Sequence, residues 1–206
     1  MITIVDYDAG NPTSVQRALA AVGTESRISP DPDHVRRAER VIFPGVGHAR
    51  SAMEVLQRRG LDQALHEAFQ QGIPILGVCV GAQLSLTRSE EGDTPCLALL
   101  PGSVRRFPAL SRELKVPHMG WNRIEVQQPA HPLLEGVPAQ NEFYFVHSYY
   151  LDPADATSVL ATSDHGIRFA AAFAHRNLAA VQFHPEKSGP LGLAVLERFA
   201  RWSPVC

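Results

Sequence analysis

Residues 74–83 read Pro-Ile-Leu-Gly-Val-Cys-Val-Gly-Ala-Gln. Pro74–Val78 is a continuous apolar run, the pattern of a strand buried on both faces. Such strands belong to parallel sheets covered by helices, so this stretch predicts an α/β fold. The run stops at Cys79, with Gly77 and Gly81 two residues to either side. A sharp strand-to-helix turn exposes a nucleophile at the carboxyl end of a sheet, and its crowded backbone needs small flanking residues. The helix start adds free N–H groups and a positive dipole end, which favour thiolate over thiol. Gln83, four residues on, falls one helical turn later on the same side, where its amide can face a molecule held over Cys79. A free cysteine is commonly a small buried hydrophobe, and Cys96 and Cys206 are read that way. For Cys79 the G-x-C-x-G-x-Q pattern decides otherwise, because a chance match in this length is on the order of one in a thousand.

Outward from this point the first half alternates strand and helix. Ile2–Val5 is a short apolar strand. Asn11-Pro12 starts a helix, with Asn11 as cap and Pro12 at the first helical position, running to Val22 and closed by Gly23. Arg40–Phe43 is a strand ending at Pro44-Gly45, and helices follow over Ala52–Arg59 and Leu61–Gln71. After about Pro101 short strands dominate: Trp121–Val126, Asn141–Val146, Phe169–Ala174 and Leu178–Phe183. The last two flank His175-Arg176-Asn177, a hairpin turn in which Asn tolerates positive φ. Leu191–Trp202 is an amphipathic helix with Leu191, Ala194, Val195, Leu196 and Phe199 on one face. The expectation is a three-layer (flavodoxin-like) α/β fold. Its mixed sheet is parallel in the N-terminal part and antiparallel in the C-terminal strands, with helices on both faces, in one domain over residues 1–206.

Composition sets bounds on function. The chain has 206 residues, 45% apolar and 19% charged, with a net charge of −2. That suffices for a core without disulfides and argues against a broad electrostatic nucleic-acid footprint. No apolar run approaches the roughly 20 residues of a membrane span, and the start lacks the basic region of a signal peptide. Three cysteines do not form a disulfide framework, so a reducing, cytoplasmic setting is expected. No two of the nine histidines lie within four residues of each other, so no local metal-ligand pair forms. No metal or cofactor is expected.

A cysteine nucleophile needs a histidine base, and the base needs a group that holds its tautomer. Gln182-Phe183-His184-Pro185-Glu186-Lys187-Ser188 offers both. Pro185 biases His184 to an extended conformation, and residues two apart in an extended segment share a side. Glu186 then reaches one ring nitrogen of His184 and leaves the other for the thiol.

These two motifs, in this order and about a hundred residues apart, resemble those of the class I (triad-type) glutamine amidotransferases. The resemblance implies Cys79 as nucleophile, His184 as general base and acid, and Glu186 as its orienter. It also implies an oxyanion-hole loop at Phe43-Pro44-Gly45-Val46-Gly47, with the N–H groups of Val46 and Val80 as donors. A narrower resemblance covers nearly the whole chain. Asp6-Tyr7-Asp8-Ala9-Gly10-Asn11, Lys115-Val116-Pro117-His118-Met119-Gly120-Trp121-Asn122, Phe145-Val146-His147-Ser148-Tyr149-Tyr150 and the closing His-Pro-Glu-Lys-Ser-Gly look like the glutaminase subunits of imidazole glycerol phosphate synthases. This implies a (β/α)₈-barrel cyclase as partner in a heterodimer of histidine biosynthesis, with ammonia passing through the barrel. It implies substrate glutamine near Gly47, Gln83, Glu91, Ser148 and Tyr149, the last two largely through backbone. It implies a partner interface near Asn11, His118, Met119, Trp121, Asn122, Tyr144 and Lys187.

The chain departs from that pattern at Asp8 and Ala180, where glycine is usual, and at Ala82, where a larger apolar residue is usual. Three rivals are weaker. Another amidotransferase or a γ-glutamyl hydrolase gives no reason for Pro117–Asn122. A catalytically silent scaffold gives none for an intact Cys79, His184 and Glu186. A phosphate binder needs a glycine-rich loop after the first strand, which Asp6–Asn11 does not supply.

Overall fold

The computed structural model describes residues 1–109 and 114–204, so the reading of Cys206 falls outside the described residues. The first half alternates: β1 (Ile2–Val5), α1 (Pro12–Ala21), β2 (Ser26–Ser29), α2 (Pro32–Arg36), β3 (Arg40–Gly45), α3 (Ala49–Arg59), α4 (Leu61–Gln70), β4 (Ile75–Cys79) and α5 (Val80–Leu84). The second half is strand-rich: β5 (Arg88–Ser89), β6 (Thr94–Pro95), β7 (Gly102–Arg106), β8 (His118–Asn122), β9 (Glu125–Val126), β10 (Phe143–His147), β11 (Tyr149–Pro153), β12 (Val159–Asp164), β13 (Arg168–His175) and β14 (Leu178–Val181). Helix α6 (Gly189–Arg201) follows β14.

Among the described residues the main sheet runs β2-β1-β3-β4-β14-β13-β11-β7-β5-β6, with β12 joining β13 to β9. Every pair from β2 to β14 is parallel. From β14 through β13 and β11 to β7 the pairs are antiparallel. The expected mixed sheet is therefore present, and β4 lies at its centre with all five residues buried. Helix α1 packs with α6, while α2, α3, α4 and α5 pack among themselves, so helices cover both faces. Strands β8 and β10 stand apart as an antiparallel pair. Among the described residues no helix is long and apolar enough to cross a membrane.

Local differences from the sequence reading have physical causes. Asn11 caps α1 as expected, its side chain accepting from the Ser14 N–H. Helix α3 begins three residues earlier than its apolar pattern shows, because the His48 side chain accepts from the Arg50 N–H. Histidine is outside the usual capping set, so sequence gives little sign of it. Periodicity does not reveal β2 or α2, a half-buried four-residue strand and a five-residue helix. In the β13–β14 hairpin it is Arg176, not Asn177, that takes positive φ (53°). Asn177 is buried there and donates to the Ile73 carbonyl at 2.7 Å. Ala180 sits in ordinary strand geometry, so the departure from glycine costs it nothing in φ. Asp8 does take φ 61°, and its carboxylate pairs with Arg59 at the surface.

Candidate active site

Cys79 ends β4 and precedes α5 with φ 54° and ψ −109°, a conformation that costs a side-chain-bearing residue about 1–3 kcal/mol. The strain marks the sharp turn expected here. A Cβ on Gly81 would stand 1.8 Å from the Phe43 carbonyl oxygen, so α5 can cross β3 only with glycine at that position. Helix α5 has only five residues, so its contribution at Cys79 is its first N–H groups rather than a developed macrodipole. Cys79 is 3% exposed, yet it lines a cleft of about 250 Å³.

His184 is extended (φ −99°, ψ 97°), as a residue before proline should be. Glu186 is not: Pro185–Lys187 form a 3₁₀ turn, so the carboxylate returns to the ring by one tight turn rather than along a strand. The contact expected between them is made, with His184 Nδ1 2.8 Å from Glu186 Oε1 and both side chains nearly sealed from solvent. Two bonds fix the backbone beneath: Ser188 Oγ donates to the His184 carbonyl at 2.6 Å, and the His184 N–H donates to the Tyr144 carbonyl at 2.9 Å. Burial alone would lower the pKa of His184. The Cys79 sulfur and the Glu186 carboxylate outweigh it and raise the ring from 6.5 to about 10. Nε2 is buried and has no hydrogen-bond partner among the described residues, so it is free for proton traffic with the sulfur.

The cleft gathers Val46, Gly47, Val80, Gln83, Glu91, Ser148 and Tyr149 around Cys79, together with Pro117, Val146 and His147. Two of the side chains expected to meet substrate are already engaged. Glu91 Oε2 accepts from the Ala49 N–H at 2.7 Å, and Gln83 Nε2 donates both to the Tyr149 carbonyl and to Gln182 Oε1 at 3.1 Å. Gln83 therefore has only its oxygen to offer a bound molecule. Among the described residues no group of three His, Cys, Asp or Glu is placed to hold a metal ion. Cys96 is half-buried, and burial raises its thiol to about 12, which makes it a poor nucleophile.

Of the residues expected at a partner surface, Met119 (63%) and Trp121 (55%) are strongly exposed. Lys187 is exposed too, its Nζ 5.6 Å from the Tyr144 ring, and Trp121 meets that ring edge-on at 6.0 Å. Asn11 is exposed but spends its side chain on α1. His118 points inward from β8 and is buried, and Asn122 is half-buried with its amide bonded to His118 and to the Asp164 carbonyl.

A family model described as glutamine amidotransferase class-I matches residues 3–201. This chain belongs to that family. Within the class-I glutamine amidotransferases it is 47% identical to imidazole glycerol phosphate synthase subunit HisH of Methylococcus capsulatus, over 98% of this chain and 97% of that one. It is 46% identical to the subunit of the same name from Dehalococcoides mccartyi, over 97% of this chain and 96% of that one. In fold it resembles a glutamine amidotransferase crystal structure, with a TM-score of 0.74 at 19% identity over 98% and 100% of the two chains. It likewise resembles PurLQS of Thermotoga maritima, with a TM-score of 0.74 at 17% identity over 97% of each.

In this amidotransferase the sequence reading misses Gln182, Ser188 and His147 as parts of the site. For Gln182 a signal existed. It lies two residues before His184, and strand alternation, which fails for Glu186 but holds on the β14 side of His184, puts Gln182 on that side. Its Nε2 is 3.7 Å from the Cys79 sulfur. Ser188 and His147 act through backbone and ring contacts that no spacing reveals.

Proposed function

We propose that this chain is the glutaminase subunit of an imidazole glycerol phosphate synthase, cutting glutamine and delivering ammonia to a (β/α)₈-barrel cyclase in histidine biosynthesis. Near-full-length likeness to subunits of that name supports the pathway. The chemistry rests chiefly on one observation, the 2.8 Å His184–Glu186 bond beside a strained Cys79 that lines the cleft.

The Cys79 thiolate attacks the side-chain amide carbon of glutamine. Negative charge gathers on the amide oxygen, and the N–H groups of Val46 and Val80 receive it. Protonated His184 gives its proton to the departing nitrogen, the C–N bond breaks, and ammonia leaves a thioester on Cys79. His184, now neutral, takes a proton from water, whose oxygen attacks the thioester. The thiolate departs and glutamate is released. Glu186 keeps Nδ1 protonated and the ring turned to the sulfur throughout. Glu91, Gln83 and Gly47 hold the substrate with the backbone of Ser148 and Tyr149. Met119, Trp121, Tyr144 and Lys187 present the docking face, with ammonia leaving beside it. The free cysteines fit a cytoplasmic setting.

Gly47 has φ 100° and open space around it, so the Val46 peptide has room to turn. We expect the isolated chain to hydrolyse glutamine poorly and the ligated cyclase to activate it. Steady-state glutaminase rates for wild type and Cys79→Ala, each with and without the cyclase, test both ideas. Wild-type activity in Cys79→Ala would remove the nucleophile, and full activity without the cyclase would remove the partner dependence.

A further inference from the structure

Behind Cys79 runs a chain of hydrogen bonds whose direction is set at one backbone oxygen. The Tyr149 carbonyl can only accept, and it takes Gln83 Nε2 at 3.1 Å and His147 Nδ1 at 2.7 Å. Gln83 must therefore turn its NH₂ this way, and its second N–H reaches Gln182 Oε1 at 3.1 Å. With its oxygen committed, Gln182 directs its own NH₂ to the Cys79 sulfur, 3.7 Å away. The other arm is equally determined. His147 donates from Nδ1, so its Nε2 accepts from His118 Nδ1 at 2.9 Å. Asn122 then covers His118 Nε2 at 3.1 Å and the Asp164 carbonyl at 2.8 Å. Gln83, Gln182, His118 and His147 are all buried, so no member can turn over without leaving polar groups unpaired in the interior.

A backbone group at the sulfur works in the opposite sense to the Gln182 amide. The Val146 carbonyl, 3.9 Å from Sγ, accepts from a thiol and repels a thiolate.

We propose that Gln182 is a further catalytic residue: its amide N–H holds Cys79 as the thiolate, kept on the sulfur by Gln83 and the Tyr149 carbonyl. This rests on reading Cys79 as the nucleophile. An amide N–H stabilises negative sulfur without protonating it, so His184 remains free to carry the proton to the leaving nitrogen. It also explains why Gln83 spends both N–H groups inside the protein.

The test is the pH dependence of Cys79 alkylation by iodoacetamide, with Cys79→Ala defining the background from the other cysteines. Gln182→Met removes the donor at similar volume. Gln182→Asn keeps an amide but is one methylene too short to meet the sulfur. Both are expected to move the alkylation midpoint up by about one pH unit, a roughly tenfold loss of thiolate at pH values below the wild-type midpoint. The acid limb of kcat should shift with it while KM stays near wild type. A residue that only fills space would lower melting temperature or kcat and leave the midpoint in place. A folded variant of either kind with the wild-type midpoint overturns the proposal. Wild-type glutaminase activity in Cys79→Ala would instead overturn the nucleophile reading, whatever the midpoints show.

Discussion

Cys79, the proposed nucleophile, is also the most strained point of the central strand. Its φ of 54° with ψ −109° suits glycine far better than cysteine. Cys79→Gly should therefore be more stable than Cys79→Ala by about 1 kcal/mol, the strain relieved less the extra freedom of an unfolded glycine. Urea unfolding of the two variants checks this, and both should lack glutaminase activity. His184 makes a prediction with a definite sign. Its folded-state pKa of about 10 lies above the usual 6.5, so between these values the folded chain holds a proton that the unfolded chain has lost. The stabilisation is full below about pH 6.5 and is lost as pH rises through about 10. Unfolding free energy should thus fall from neutral pH to pH 10 more steeply in wild type than in His184→Gln. Equal slopes would contradict the assignment. At this scale the sequence was legible where chemistry is local, because Cys79, His184 and Glu186 announce themselves by neighbours one to four positions away. Gln182 stands two positions before His184, which hints at its side, but its contact with the sulfur spans 103 positions and needs β14 beside β4.

The elements place these groups by backbone proximity. Helix α5 starts where β4 stops and crosses β3 so closely that a Cβ on Gly81 would collide with the Phe43 carbonyl. Gly81→Ala should cost about 3 kcal/mol or more, since the obstructing atom is backbone and cannot swing aside. Thermal unfolding reads this directly, and a loss under 1 kcal/mol would mean that α5 shifts freely. The inner parallel strands were predictable because a strand buried on both faces is mostly apolar, as β4 is, whereas the half-buried β2 was not. Strand β8 was harder. Among the described residues it pairs only with β10, and its pleat sends His118 inward and leaves Met119 and Trp121 outside. Its borders, His118–Asn122, thus sit three residues before the start that its apolar pattern suggests.

Across the molecule, the exposed Met119 and Trp121 lie on the pair of strands that also carries Tyr144 and leads into His147 at the cleft. Trp121→Ala should weaken association with the cyclase by about 2 kcal/mol, roughly thirtyfold in Kd. Because Trp121 is 55% exposed, the melting temperature of the isolated chain should barely move. Calorimetric titration and thermal unfolding separate the two effects, and unchanged affinity would take Trp121 out of the docking face. The chain's own order of residues determined the alternation of strand and helix, the elbow at Cys79 and the His184–Glu186 pair, because each depends on periodicity or on neighbours along the backbone. Only the tertiary structure decided which side chains are spent internally. Gln83 gives up both its N–H groups, Glu91 caps α3, and His118 turns inward, since a buried polar group must find a partner wherever the fold brings one. Partners so distant in sequence leave no periodic trace in it.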